Sequence, residues 1–342
     1  MMPAVARSFG LLAVALLAAA CIDGRAPGPA NASHACVEPA DWPRPPDWRS
    51  LRNPVYSLPD VAVKDVAVRV VDRRWQLLFS HVREDVFRFR IGLTSSPDLV
   101  SWSAVGLWDQ PEVGGVASPD ITRSPGAGPY VVTYNSHTRD QDGDPKLYAR
   151  TSDDFRTWSP PRRLAPDVRP RPDDYLIDAA VAHTPAGPIL GYNRNADRFE
   201  LAWSPSGSLD GPWRYIGAAD TGPFENYQFL VIDGTWHLVG TTIPVHRELL
   251  YRLDGPPDRP QSWLHWTLVR ELAIPAQAWN RSPGEVANAL FLCDARPLDG
   301  HWYAFYAGST ELDRFGGRGH AKVGIARSAD LVRWDVPPER AP

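Results

Sequence analysis

Apolar and polar positions fall into short runs along this chain, and the runs recur as a set. One group is almost wholly apolar: Trp75–Ser80, Tyr130–Tyr134, Ile189–Tyr192, Trp236–Gly240 and Trp302–Tyr306. A second group follows each of these and alternates: Phe89–Leu93, Lys146–Arg150, Phe199–Trp203, Glu248–Arg252 and Lys322–Arg327. After the second group comes a Ser-x-Asp-apolar-x-x-Trp phrase, at 96–102, 152–158 and 328–334, with looser copies at 208–213 and 259–266. Runs of four to six residues bounded by Gly, Pro, Asp and Asn predict strands, and no long run outside the N-terminus has helical periodicity. The closing tryptophans, Trp102, Trp158, Trp213, Trp266 and Trp334, stand 56, 55, 53 and 68 residues apart. Strand-rich repeats of this length predict an all-β chain folded as a five-bladed β-propeller.

The N-terminus reads differently. Arg7 precedes an apolar stretch, Leu11–Ala20, which is too short to cross a bilayer, so residues 1–20 are expected to be a signal peptide. The sequence Leu17-Ala-Ala-Ala-Cys21 resembles a bacterial lipoprotein processing site. That implies an exported protein held at a membrane, periplasmic or cell-surface, only through a lipid on Cys21. Cleavage after an Ala-x-Ala motif would instead leave a secreted protein. Residues 21–55, rich in Pro and Ala, read as a tether, and 56–342 as the propeller. Those 287 residues amount to about 57 per blade, which suits one all-β domain.

Composition adds little but excludes something. The net charge is −4 with both signs interspersed, so no basic face for nucleic acid is expected. Besides Cys21 there are only Cys36 and Cys293, which in an exported protein either pair or remain two unrelated thiols. Of the 14 Trp, those at fixed places in the repeat are expected to pack between blades, as are Trp75, Trp236 and Trp302. Trp108 and Trp279 lie off that register and are candidates for a ligand platform.

In a propeller the first strand of each blade faces the central axis. Here the openings of four blades carry acids: Asp65 and Asp120 ten residues before Trp75 and Tyr130, Asp178 and Glu225 eleven before Ile189 and Trp236. They read as four carboxylates at an equivalent point, while the fifth opening, Glu285 to Asn288, departs from the spacing. Taken singly, each Asp could be a turn or cap residue. As a set around one axis they would repel and lose hydration, a cost expected where a cation or chemistry requires it. Two carboxyls across a funnel are the minimum for hydrolysing a glycosidic bond, and a third negative charge helps keep the acid protonated. Glu225, with the longer side chain, suits the acid, Asp65 the base, and Asp178 the tuning role.

The ordered trio Lys64-Asp65, Ile177-Asp178 and Phe224-Glu225 resembles the glycoside hydrolases of family 43, as well as the related arabinofuranosidases of family 62. The resemblance runs from about Val61 to Trp334. It implies an inverting glycosidase acting on arabinose- or xylose-containing oligo- or polysaccharides, with Asp65 as base, Asp178 as pKa modulator and Glu225 as acid. Ser118-Pro-Asp120 resembles the family's Ala-Pro-Asp element, which implies a substrate-side role for Asp120. Asn226, beside the acid, could contact a sugar hydroxyl.

The chain departs from the family in having Val66 and Ala179 where Pro is usual, and Ala287 and Asn288 near the place of a His that helps hold an axial calcium. No metal ligand and no cofactor are assigned. The alternatives are a non-catalytic glycan-binding lipoprotein and a retaining fructan hydrolase, although the Asn-Asp-Pro and Arg-Asp-Pro elements of the latter are missing. His81 and His137 are expected to be loop hydrogen-bonders, and Arg194, Arg247 and Arg281 could reach the funnel from loops.

Overall fold

The computed structural model describes residues 36–38, 41, 44–83, 88–108, 115–136, 146–168, 174–243, 245–281, 286–310 and 321–340. The signal segment, Cys21, His137 and Glu285 lie outside the described residues. Five antiparallel sheets follow one another along the chain, each running outward in sequence order from an innermost strand. The first sheet is β1 (Ala62–Val71), β2 (Arg74–Arg83), β3 (Arg88–Ser96) and β4 (Gly106–Trp108). The second is β5 (Val116–Arg123), β6 (Tyr130–Ser136), β7 (Leu147–Ser152) and β8 (Arg162–Leu164). The third runs β9 (Leu176–Thr184), β10 (Gly187–Arg194), β11 (Arg198–Trp203) and β12 (Arg214–Ala218). The fourth comprises β13 (Phe224–Ile232), β14 (Thr235–Thr242), β15 (Glu248–Leu253) and β16 (Trp266–Glu271), and the fifth β17 (Asn288–Ala295), β18 (His301–Gly308) and β19 (Lys322–Ser328). The innermost strands close a ring, with β1 touching β5 and β17, β9 touching β5 and β13, and β13 touching β17. Every apolar run of the sequence lies in a second strand and every alternating run in a third, so the chain is a five-bladed β-propeller.

The Ser-x-Asp phrase is a local turn built by side chains. Ser96 Oγ accepts the Leu99 N–H at 2.7 Å, and Asp98 Oδ1 accepts those of Val100 and Ser101 at 2.9 and 2.7 Å. The same bonds recur at Ser152 and Asp154 and, for the aspartate, at Asp330. Short polar side chains satisfying nearby backbone donors are what favours a turn here over a continued strand. The turn forces Leu99, Phe155 and Leu331 to positive φ and buries all three.

Trp213, Trp266 and Trp334 are buried, and Trp102 and Trp158 pack half-buried on the first cluster of core side chains. Trp108 and Trp279, expected as ligand platforms, are core residues instead. Trp108 meets Trp158 edge-on at 5.0 Å between ring centres, and Trp279 stacks on Tyr306 at 5.9 Å. On the fifth sheet the packing is close enough that a Cβ on Gly324 would come within 2.6 Å of both rings of that Trp279–Tyr306 stack.

Part of the expected tether packs on the propeller. Cys36 forms a disulfide with Cys293 of β17. Glu38 joins the buried Arg69 and, from the next blade, Arg123. Val55 and Tyr56 pair with Val323 on the open edge of β19, and Asp335 pairs with Arg327 on that same edge. Asn53, fully buried, accepts from the Ile325 N–H and donates to the Ile325 carbonyl, both at 3.0 Å. Segments from both ends of the chain thus cover the edge that the three-stranded fifth sheet would otherwise expose. The apolar and Asn side chains at 51–56 are there because they seal this joint.

Candidate active site

Each innermost strand carries one extra residue at the same place. The pairing shifts between Lys64 and Ala67, Ala117 and Asp120, Glu225 and Gln228, and Asn288 and Phe291; in the third blade it shifts opposite Gly191 and Asn193, between Ile177 and Ala180. The first residue of each bulge has positive φ: Asp65 at 50°, Ser118 at 54°, Asp178 at 57°, Asn226 at 54° and Ala289 at 54°. A bulge re-aims a side chain that a regular strand would send elsewhere, and a non-glycine residue there costs on the order of 1–2 kcal/mol. Five such bulges turn the residues at 65–66, 118–119, 178–179, 226–227 and 289–290 toward a single cavity on the axis.

Polar side chains of the second strands hold the bulges from the blade behind. Ser80 Oγ accepts the Ser118 N–H at 2.7 Å, Asn135 Oδ1 that of Asp178 at 3.1 Å, and Thr241 Oγ1 that of Ala289 at 3.1 Å. Asn193, at the equivalent place, donates to the Phe224 carbonyl. These four are fully buried, and the fifth place is Ala307, at the joint where the ring closes. A buried backbone donor left without a partner costs about 1–3 kcal/mol, so the four latches fix the bulges as well as joining the blades. A polar residue closing four of the five apolar second runs, Ser80, Asn135, Asn193 and Thr241, is the sequence signal for these latches.

The register corrects one expectation. Only Asp65 and Asp178 are equivalent. Glu225 stands one residue before its bulge, level with Lys64, Ala117, Ile177 and Asn288, and Asp120 stands two residues after Ser118, level with Ala67, Ala180 and Gln228. Asp65, Asp178 and Asp120 line the axial cavity, and Glu225 flanks it beside Asn226. Asp178 is the buried member of the trio, Asp65 is half-buried, and the Glu225 side chain is 21% exposed.

Burial, then the charges of Glu225 and Asp65, push the Asp178 carboxyl up to about 8, against hydrogen bonds from the Ser118 side chain and the Asn226 N–H. The Asn226 bond to Asp178 Oδ2 is 3.1 Å long. Asp120 is pushed up to about 7 by burial, opposed by the Ile121 N–H. Asp120 is thus near the axis but not among the charges that act most on Asp178. Tyr227, beneath the trio, donates to the Phe224 carbonyl, and burial with the charges of Asp178 and Glu225 raises its phenol.

Two residues beside the trio were not expected. His246, from the β14–β15 connection, places Nε2 3.5 Å from Glu225 Oε1. Asn288, in the fifth blade, lies 3.3 Å from His246 Nδ1 and 3.4 Å from Asn226 Nδ2. Of the other candidates, His81 is buried against Phe79, Arg194 is paired with Asp174 and Glu200, Arg247 lies near Glu271 and Arg281 is exposed.

Among the described residues no three His, Cys, Asp or Glu side chains converge where a cation could sit. The fifth-blade places on the axis are Ala289, Leu290 and Phe291, which supply no ligand. The residues present do not fit an axial metal.

No protein-family model and no curated protein matches the chain. Solved structures do. A thermostable family-43 glycoside hydrolase covers 86% of this chain and 98% of its own at 17% identity and a TM-score of 0.60. A glycosyl hydrolase from Bacteroides ovatus covers 87% and 96% at 14% identity, with a TM-score of 0.60. The α-L-arabinofuranosidase from Podospora anserina, in complex with cellotriose, covers 90% and 98% at 13% identity and 0.55. At these identities the likeness establishes the shared propeller fold.

Proposed function

We propose that the chain is a glycoside hydrolase that inverts configuration at the anomeric carbon, with Glu225 as general acid and Asp65 as general base. The observation that carries this reading is the trio itself. Burial, with the charges of Glu225 and Asp65 added to it, pushes the Asp178 carboxyl on the axis up to about 8. Carboxyls that interact this strongly titrate as a set, and pairing an acid with a base for hydrolysis relies on neighbours that push their pKa values apart. Nothing in a propeller's packing asks for this arrangement, whereas hydrolysis of an acetal does.

In the reaction, Glu225 gives its proton to the glycosidic oxygen as the bond from that oxygen to the anomeric carbon breaks. A water on the opposite face forms the new bond to that carbon and passes its proton to Asp65. Inversion needs the two carboxyls roughly 6.5–9.5 Å apart, to leave room for the water. Asp178 keeps the acid protonated between turnovers. The Asn226 amide, which lines the cavity, meets a sugar hydroxyl, and Asp120 lines the same cavity.

Arabinose- or xylose-containing glycans are the proposed substrates, because the trio follows the order found in the families that cleave them. Solved structures with this fold include an exo-1,5-α-L-arabinanase from a bovine ruminal metagenomic library and a family-62 hydrolase in complex with xylotriose. The Cys36–Cys293 disulfide suits an oxidising compartment and supports export, with Cys21 as the proposed lipid anchor. Release of nitrophenol from a panel of aryl pentosides and hexosides, followed by arabinan, arabinoxylan and fructan, tests the reading. Turnover of a pentoside supports it. Silence on every aryl glycoside and polymer would favour a glycan-binding propeller.

A further inference from the structure

His246 reaches the acid from outside the repeat, on the connection between β14 and β15. Its Nε2 lies 3.5 Å from Glu225 Oε1, with the two side chains 16% and 21% exposed. What fixes the other face of the ring is a chain of amides. The Asn226 N–H donates to Asp178 Oδ2 at 3.1 Å, and Asn226 Nδ2 donates to Asn288 Oδ1 at 3.4 Å. That bond leaves the Asn288 amide nitrogen turned toward His246 Nδ1, 3.3 Å away. An amide nitrogen only donates, so Nδ1 must accept and the ring proton of the neutral imidazole must sit on Nε2, facing Glu225. Glu248, 2% exposed, opens β15, and its two oxygens both stand 3.0 Å from the Thr241 hydroxyl. Burial raises Glu248. The tautomer of the imidazole is set from the fifth blade, by Asn288.

We propose that His246 is a positioning residue for Glu225, held as the Nε2–H tautomer by the chain running from Asp178 through Asn226 and Asn288. The proposal rests on the glycoside hydrolase reading of this site. Asn288 stands at the fifth-blade place level with Glu225, so the blade that has no acid of its own supplies the group that orients the ring. A donor beside Glu225 Oε1 holds the carboxyl in one orientation. It also stabilises the carboxylate that remains once the proton has gone, which matters most for leaving groups that cannot depart without a proton.

Leaving-group dependence tests this. With whichever sugar turns over, His246→Ala should lower kcat/KM on a phenyl glycoside by about 10- to 100-fold, while changing a 2,4-dinitrophenyl glycoside by less than about 3-fold. His246→Gln, whose amide can present an N–H near the place of Nε2, should recover most of the loss on the phenyl substrate. Equal losses on both substrates, or no loss on the phenyl glycoside, would overturn the positioning role. The tautomer is read separately from ¹⁵N shifts of the histidine rings, with His246 assigned by its disappearance in His246→Gln. A protonated Nε2 beside an unprotonated Nδ1 is expected, and a protonated Nδ1 would break the chain. A wild-type protein inert toward every glycoside would sink the hydrolase reading and the positioning role with it, while the ring shifts would still decide the hydrogen-bond chain.

Discussion

Replacing Asp178 with Asn removes a buried charge while keeping the size of the side chain, and its effect on stability can be worked from the site. Burial and the charges of Glu225 and Asp65 move the Asp178 carboxyl from 3.8 to about 8 on folding. A carboxyl raised in the folded state contributes its full stability below pH 3.8, and that contribution is lost as pH rises through about 8. Four pKa units correspond to a ceiling of about 6 kcal/mol above pH 8, at about 1.4 kcal/mol per unit, and about 4 kcal/mol at pH 7. Local relaxation lowers these figures, so about half is the working expectation.

The substituted amide never ionises, its carbonyl oxygen can still accept the Asn226 N–H, and its nitrogen can donate to the neighbouring carboxylates. Asp178→Asn should therefore melt near the wild-type temperature at pH 4 and on the order of 5–10 °C above it at pH 8.5. Thermal unfolding followed by circular dichroism, from pH 4 to 9, gives the comparison. Asp120 and Glu248, also raised by burial, are common to both proteins and cancel. A gap that does not widen with pH, or a wild type that is the more stable at pH 8.5, would refute the claim that the trio stores electrostatic strain.

Loss of the same proton should make wild-type kcat/KM fall above about pH 8, seen as the basic limb of a pH–rate profile; a profile flat to pH 10 would contradict it. Asn135→Ala unties the Asp178 N–H and is expected to cost about 1–3 kcal/mol in urea unfolding and to lower kcat more than KM is changed. Replacing Cys36 and Cys293 together by Ser opens a bond between residues 257 apart in sequence, and in the chain-entropy model the loss in guanidinium unfolding reaches about 5 kcal/mol. Asp120→Asn should keep kcat within about tenfold of wild type, because Asp120 is off the ring on which the base stands, whereas loss of a general acid or base costs about 10²–10⁴-fold.

The strands were legible because their chemistry is local. Trp75–Ser80 and its counterparts are apolar because second strands are covered on both faces, and Ser96 with Asp98 encodes the turn through its own side chains. Register was not legible, because it depends on how long each hairpin is. Six residues separate the paired Arg123 and Tyr130 where four separate Val70 and Trp75, so a count of ten back from the second strand reaches Asp65 in one blade and stops short of Ser118, at Asp120, in the other. Glu225, at eleven before Trp236, differs from Asp65 by the single residue that separates the two sides of a bulge. His246 was invisible for a related reason: it lies in the loop between β14 and β15, outside the repeated runs, and is brought to the acid by the pairing of β13 with β14. The closing segment at 51–56 looked like linker because its Pro content hid the buried Leu51, Asn53 and Val55.

The central claim is that Glu225 and Asp65 act across the axis as acid and base on a glycosidic bond. Proton NMR of the first sugar released by the wild-type protein, with Glu225→Gln and Asp65→Asn run beside it, tests that claim most directly. The account predicts an anomer inverted relative to the substrate and turnover lost by about 10²–10⁴-fold in both variants. A retained anomer, or full turnover in Asp65→Asn, would contradict it.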